Sequence, residues 1–565
     1  MKKIKALALF VVLLVLVTTF FACTPEGGNG GGSVDKDTST NITQMDESTL
    51  FSDRDKSGNY DESSAVFVTL SSNGIVCNGG GATVQKNVLK ITGDGVYVVT
   101  GSAKCQIVVD APQTAKIQIV LKGAEICCET SAAIYVKQAG KVFLTVADST
   151  ENVLSNKYDF VAVDNNNVDA VVFSKDDLTV NGNGKLTVNA VYGHGIVCKD
   201  DLVTAGCTLN VTAKRSCLNA NNSVRIAGGT YVLNAGTDGI HCAHDTDTSL
   251  GFVYVSDGVF TVDAQSDCFE TTSQLQIANG TFNLKSDVMG LFAKGNLLIK
   301  NGTFEISSVS DGIHSKENIC LEGGKISCSS ADDGIHADGN LTIRGGTVNI
   351  TNSYEGLEAL SIDILGGEIS IIASDDGVNA AGGKDQSGFG GTNGRPLRPD
   401  EFQVTENCYI KISGGVLRVN AIGDGLDSNG NLFVTGGECY VCGPVSNGNG
   451  ALDYNGEAQI TGGIVVAVGS SGMAQNFGNN STQCSILTTF TRSTAEIMLK
   501  DKDGNVLLNF APSKAYTSVV VSCPQIAVGN TYTLCSGGQT QTIKMTSIIY
   551  GNGSGMAGPG MGGRP

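Results

Sequence analysis

Acidic residues followed by glycine return about every 22 residues through the middle of the chain. The segments read "SVSDGIHSKENICLEGG", "SSADDGIHADGNLTIRGG", "NSYEGLEALSIDILGG" and "ASDDGVNAAGG". Aligned on the register glycine, the preceding column contains His194, Ser216, Asp238, Asp267, Met289, Asp311, Asp333, Glu355, Asp376 and Asp424. The column two residues after it contains Val197, Asn219, His241, Glu270, Phe292, His314, His336, Glu358, Asn379 and Asp427. If equivalent residues stack at the spacing of neighbouring strands, about 4.8 Å, the carboxylates form a ladder. Two ionised carboxylates that close repel by roughly 1 kcal/mol in water and by more where water is scarce.

A hard cation with six to eight oxygen ligands, Ca²⁺ above all, would relieve that repulsion. The expected donors are Asp332, Asp333, Glu355, Glu358, Asp375, Asp376 and Asn379. The competing explanation is that Asp-Gly and Asn-Gly simply make turns. It accounts poorly for "YEGLE", where Glu, no turn former, occurs twice. His314 and His336 can chelate a transition metal, although a plain histidine ladder on a strand face is the commoner arrangement.

Secondary metal candidates lie elsewhere. "FSDRDKSGNYDESSA" places Asp53, Asp55 and Asp61 at EF-hand-like offsets, but its twelfth position is Ser64, and a capping turn fits equally. An extra loop, "HDTDTSLG", carries Asp245 and Asp247. Tyr354, Arg395 and Arg398 are candidates for contacting a sugar, and Tyr192 and Phe292 for stacking on one. A lyase acting on uronate would need a base beside its metal, for which Lys316, Arg344, Lys384, Arg395 and Arg398 are the nearby residues. No Ser-His-Asp or Cys-His motif occurs.

Positioning these side chains requires regular coils. The chain has 565 residues, 74 of them Gly, and no Trp. Each repeat contains three short alternating segments, such as "GIHA", "NLTIRGG" and "TVNIT". Three strands per 22-residue coil, stacked coil on coil, predict an all-β, right-handed parallel β-helix with small β caps at both ends. A β-propeller blade needs about 40–50 residues and does not fit. The column after the register glycine (Ile196, Leu218, Ile240, Phe269, Leu291, Ile313, Ile335, Leu357, Val378, Leu426) is apolar and must point inward. Two residues further on stand only small residues, from Cys198 through Ala337 to Ser428, as a tight interior corner requires. The 18 cysteines show no regular pairing pattern, so most are expected to be free, buried thiols.

The net charge of -18 excludes a nucleic-acid partner and disfavours an acidic polymer unless a cation mediates. Lys2, Lys3 and Lys5 precede an apolar run that ends in "TFFAC". This predicts a lipoprotein signal over 1–22, with Cys23 lipidated and the body anchored at a bacterial cell surface or periplasmic membrane. The expected order is then a flexible tether at 23–46, an N-terminal β cap at 47–114 and the parallel β-helix at 115–490. A β piece at 491–548 and a disordered Gly-rich tail at 549–565 follow. "DKDGN" at Asp501–Asn505 reads as a hairpin turn.

Several ordered strings carry a resemblance: "FSDRDKSGNYDESSAV", "VFSKDDLTVNGNGKLTVNAVYGHGIVCKDDL", "SYEGLEALSIDILGGEISIIASDDGVNAAGG", "GDGLDSNGNLFVTGG", "GNGALDYNGEAQITGG" and "SSGMAQNFG". They resemble the family of secreted bacterial carbohydrate-binding-domain proteins built on a pectate-lyase-like, right-handed parallel β-helix. The resemblance implies Ca²⁺ on the helix and binding of cellulose-like or acidic plant polysaccharide. "RSCLNANNSVRIAGG" and "SDVMGLFAKGN" depart from the Asp-Gly pattern. Lyase activity is not implied. A monomeric, surface-tethered, Ca²⁺-dependent polysaccharide binder therefore ranks first, a Ca²⁺-dependent pectate-type lyase second and a structural adhesin third.

Overall fold

Every register column expected from the repeat is a ladder of paired strands. The computed structural model describes residues 42–162, 164–381 and 404–551. Among these, three-strand coils stack into a β-solenoid of about 16 turns. One coil consists of Ile313–Ser315, Ile319–Leu321 and Lys325–Ser329, each strand pairing in parallel with its equivalents in the coils on either side. The inward column Ile196, Leu218, Ile240, Phe269, Leu291, Ile313, Ile335, Leu357, Val378 and Leu426 runs in unbroken register and is essentially inaccessible to water. Cys198 and Cys242 sit in the small-residue column at 0% exposure, and burial raises their thiol pKa values. All cysteines among the described residues are free.

The register glycine has a packing cause rather than a turn cause. Gly312, Gly334, Gly356 and Gly377 do not adopt positive φ. A Cβ on Gly356 would lie 2.3 Å from the Gly377 carbonyl oxygen and 2.3 Å from Ile371 Cγ2. The coil-to-coil approach leaves no room for a side chain there.

A second ladder fills the interior at the third strand. Tyr231, Phe260, Phe282 and Phe304 stack face to face at 4.7, 4.7 and 4.5 Å, with planes within 7° of parallel. The strand spacing imposes this stacking, and the rings supply the largest apolar areas in the core.

The ends differ from the expected boundaries. Parallel pairing begins at Val66 and Val88, well before residue 115. Coil-to-coil parallel stacking ends with Ile464–Gly469, before residue 490. Beyond that strand, Ser485–Ser493 and Tyr516–Ser522 run antiparallel, and a separate four-stranded sheet carries the Asp501–Asn505 hairpin. The N-terminal part is not all β. Glu47–Leu50 and Asp53–Lys56 are single helical turns, followed by a 3₁₀ turn at Glu62–Ser64.

Residues 43–59 lie along one outward column of the solenoid, Gln276–Tyr254–Arg225–Val203–Thr179–Phe143–Gln118. Gln276 bonds Thr43 O at 2.8 Å, Arg225 Nη1 bonds Leu50 O at 3.0 Å and Gln118 Nε2 bonds Asn59 O at 3.2 Å. No periodicity within this segment announces it, because its partners belong to successive coils. No helix among the described residues is long and apolar enough to cross a membrane.

Candidate functional site

The outward column of the first strands reads Phe173, Val197, Asn219, His241, Glu270, Phe292, His314, His336, Glu358, Asn379, Asp427 and Asp453 in continuous register. The acidic column preceding the register glycine runs beside it. The i,i+3 spacing of "DGIH" places each acid next to the imidazole of its own coil.

Part of the carboxylate repulsion is relieved by the backbone. Asp267 Oδ1 accepts the Met289 N–H at 2.8 Å, Asp311 Oδ1 the Asp333 N–H at 3.2 Å and Asp376 Oδ1 the Asp424 N–H at 2.5 Å, each from the following coil. Asp424 accepts the Gly450 N–H in the same way. An acid at this position therefore satisfies a main-chain donor that the corner would otherwise strand.

The histidines take up the remaining charge. His314 and His336 stack at 4.4 Å with planes 10° apart, and Phe292 meets His314 edge-on at 5.4 Å. His314 Nδ1 lies 2.7 Å from Asp311 Oδ2. His336 Nδ1 lies 2.9 Å from Asp333 Oδ2 and equally 2.9 Å from Glu358 Oε2. The outer ring nitrogens both face Asp338 Oδ1, at 3.3 Å from His314 and 3.5 Å from His336. Asp333 and Glu358 are 4% and 3% exposed. Burial pushes Asp333 well above the ordinary carboxylate range. Burial opposes ionisation of Glu358 as well, but hydrogen bonds with His336 and Asp333 hold it below its usual value. Burial also works against the proton on His336, yet its bonds to Asp333 and Glu358 outweigh this and raise it to about 11.

The expected Ca²⁺ donors thus fall into two groups. Asp333 and Glu358 turn to His336. Glu355 instead accepts from Asn379 Nδ2 at 2.6 Å, and Asp376 caps the next coil. Asp332, Tyr354 and Asp375 follow one another in backbone register, and the Tyr354 hydroxyl, raised in pKa first by burial, bonds Asp375. Asp332 also brings an oxygen within 4.8 Å of oxygens of Asp311 and Asp333. The donors at this end, Asp332, Glu355, Asp375, Asp376 and Asn379, are carboxylates and an amide, an oxygen set that fits Ca²⁺. The other end mixes nitrogen and oxygen. His314 and His336, read from the sequence as able to chelate a transition metal, and Asp311, a member of the acidic column, stood outside the expected Ca²⁺ donors; Asp338 was not singled out, and the "HADG" that follows "DGIH" is the signal that marks it.

Phe292 is only 7% exposed and packs under His314, with Lys316 Nζ 5.9 Å from its ring, so it offers no face to a sugar. Tyr192 is 40% exposed. Arg344 contacts Cys320. Asp55 sits in a capping box with Ser52, bonds Thr179 and pairs with Lys141 at 2.7 Å; despite burial these hold its pKa at about 2. Asp61 caps the 3₁₀ turn through Ser63, and Asp53 opens a helical turn. Asp245 and Asp247 are exposed, Asp247 closing a local turn with Ser249. Cys23, Lys384, Arg395, Arg398 and the insertion at 382–402 lie outside the described residues.

Asp267 makes the ladder pH-sensitive. Burial, with Glu270 and Asp238 nearby, raises its pKa to about 7. In the unfolded chain it titrates near 3.8, so between these values the folded state binds the extra proton and stability falls as pH rises. At about 1.4 kcal/mol per pK unit, full ionisation costs of order 2–4 kcal/mol. Asp267→Asn keeps an acceptor for Met289 N–H and should melt higher than the parent at pH 8, but alike at pH 4. Thermal melts in chelator that show equal pH slopes for both proteins would exclude Asp267 as the source.

A family model described as carbohydrate-binding domain-containing protein matches residues 85–356 and 334–476. A carbohydrate-binding domain-containing protein of Acetivibrio thermocellus is 38% identical over 136 residues, 24% of this chain. The chain spans about half the length of that curated relative, 48%. A solved structure, the polysaccharide lyase-like protein from C. thermocellum in a gadolinium derivative, is 27% identical. The match covers 49% of this chain and 96% of that one, with a TM-score of 0.38.

Proposed function

Because the chain belongs to the carbohydrate-binding domain family, we propose that it binds polysaccharide, and that Ca²⁺ on the oxygen-rich end of the ladder mediates recognition of an acidic, plant-type glycan. The observation that supports this reading is the succession of Asp332, Glu355, Asp375, Asp376 and Asn379 on adjacent, hydrogen-bonded coils. A protein with a net charge of -18 repels a polyuronate. A divalent ion with protein carboxylates on one side and uronate carboxylates on the other turns that repulsion into a bridge. Ca²⁺ suits the task because its coordination is loose and tolerates exchange of ligands. Tyr354, beside Asp375, offers a ring to the sugar. Lipid attachment at Cys23, presenting the solenoid at the cell surface or in the periplasm, completes the proposal.

The test is polygalacturonate binding with Ca²⁺ and with chelator, run on the parent and on Glu355→Gln with Asp375→Asn. The parent should bind only with Ca²⁺, and the double variant should lose roughly tenfold or more in affinity, since each lost ligand weakens a charge-dependent site. The same variant should lose the Ca²⁺-dependent rise in melting temperature, because a ion bound only by the folded state stabilises it. Binding that is indifferent to chelator would refute the cation bridge.

A further inference from the structure

We infer that Asp311, His314, Asp333, His336 and Glu358 form a second metal site, one that takes a borderline divalent ion of the Zn²⁺ class rather than Ca²⁺. The site stands independently of the glycan reading.

Four observations converge on it. The donor atoms of Asp311, His314 and His336 lie within 4.8 Å of one another, as do those of Asp333, His336 and Glu358. Two ligands on one Zn²⁺, with arms of about 2.0–2.1 Å in a tetrahedron, stand roughly 3.3 Å apart. The 2.9 Å separations from His336 Nδ1 to Asp333 and to Glu358 are close to that edge. A single N–H on Nδ1 can point at only one of these two carboxylates, whereas one ion can serve all three groups.

The buried atoms need a further partner. Asp333 Oδ1 and Glu358 Oε1 make no hydrogen bond although their residues are 4% and 3% exposed. A carboxylate oxygen buried to that depth without a donor has lost its water and gained nothing in exchange. A cation among these oxygens removes the cost.

The outer ring nitrogens are already oriented. Asp338 Oδ1 faces Nε2 of both His314 and His336. A metal-bound histidine ordinarily donates its other N–H to a carboxylate, which fixes the ring and its tautomer. Asp338 fills that role for His314, while His336 Nε2, 3.5 Å from the same carboxylate, is buried without a hydrogen-bond partner; the Nδ1 atoms are left to the metal. Phe292 closes the column below His314, so the site has an apolar floor and a polar side toward Glu358.

Imidazole decides the metal. Ca²⁺ takes oxygen ligands, and nitrogen with carboxylate suits Zn²⁺, Fe²⁺, Ni²⁺ or Cu²⁺. The related set Asp238, His241 and Glu270 supplies an internal control, since its Nδ1 is engaged by Asn219 at 3.3 Å and it has one ring only.

The test is calorimetric titration of the tag-free, chelator-treated protein with Zn²⁺ and separately with Ca²⁺, with Co²⁺ absorption as a spectroscopic readout of nitrogen ligation. The parent should take up Zn²⁺ at this site and give a Co²⁺ d–d spectrum. His314→Gln with His336→Gln should weaken Zn²⁺ by roughly 100-fold or more and abolish that spectrum, since both nitrogen ligands are gone. His241→Gln should change neither. Glu355→Gln with Asp375→Asn should leave Zn²⁺ binding intact, and the histidine variant should still bind polygalacturonate with Ca²⁺, so the two sites fail separately. Should the histidine variant not fold, Glu358→Gln, which keeps both rings, must lower Zn²⁺ affinity by roughly tenfold or more. A parent that takes no Zn²⁺, or histidine and Glu358 variants that bind it as the parent does, would overturn the site.

Discussion

Phe282→Ala should lower the unfolding free energy by about 3–5 kcal/mol, the range for removing a fully buried aromatic. Phe282 is 1% exposed and lies between Phe260 at 4.7 Å and Phe304 at 4.5 Å, with Phe269 against its edge at 6.1 Å. The cavity cannot close easily, because main-chain hydrogen bonds hold the coils at the strand spacing and the neighbouring rings are held by their own coils. Each coil of a solenoid is stabilised mainly by its two neighbours, so damage in one weakens both interfaces. Urea denaturation should show a lower midpoint, and hydrogen exchange should quicken first over 259–304. A loss below about 1 kcal/mol would mean that the aromatic ladder repacks, contrary to the rigid stacking described above.

Gly356→Val should be comparably damaging, by about 3 kcal/mol or more, for the opposite reason. Overpacking a filled core ordinarily costs about 1–3 kcal/mol. Here the first atom of the new side chain meets a backbone oxygen and a core methyl, both at 2.3 Å. The Gly377 carbonyl cannot retreat cheaply, since it accepts the Leu357 N–H at 3.2 Å. The neighbouring coils must therefore separate or the strand must slip. Both outcomes disturb Glu355, so the variant should lose the proposed Ca²⁺-dependent glycan binding along with stability. Differential scanning calorimetry would check the first effect. A melting temperature within a degree or two of the parent would show that the corner has slack the geometry does not reveal.

The same corner explains how much of the site was legible beforehand. Asp-Gly recurs because Asp accepts a main-chain N–H from the next coil and Gly admits that coil's carbonyl. Both demands repeat with the coil, so they appear in the sequence as columns. The competing explanation, that Asp-Gly simply makes turns, does not account for the glycine. It is close approach, and not positive φ, that requires Gly at 312, 334, 356 and 377. Phe292 was a candidate for stacking on a sugar because it is aromatic, but its ring packs beneath His314. The short helical turns at 47–56, read as part of a β cap, owe their place to Tyr254, Arg225 and Thr179, residues more than a hundred positions away.

The sequence by itself determined the period, the three-strand coil and the membership of each column, because a stacked coil translates chain distance directly into position. Membership of one column does not settle which neighbour a side chain turns to. Glu358 faces His336 in the coil before it, Glu355 meets Asn379 in the coil after it, and Asp338, two residues beyond His336 on its strand, sits beside both imidazoles. Those choices depend on side-chain rotamers, burial and the balance of charge among groups brought together only when the coils stack. Tertiary structure alone therefore divided one acidic ladder into an oxygen-rich end and a histidine-bearing end.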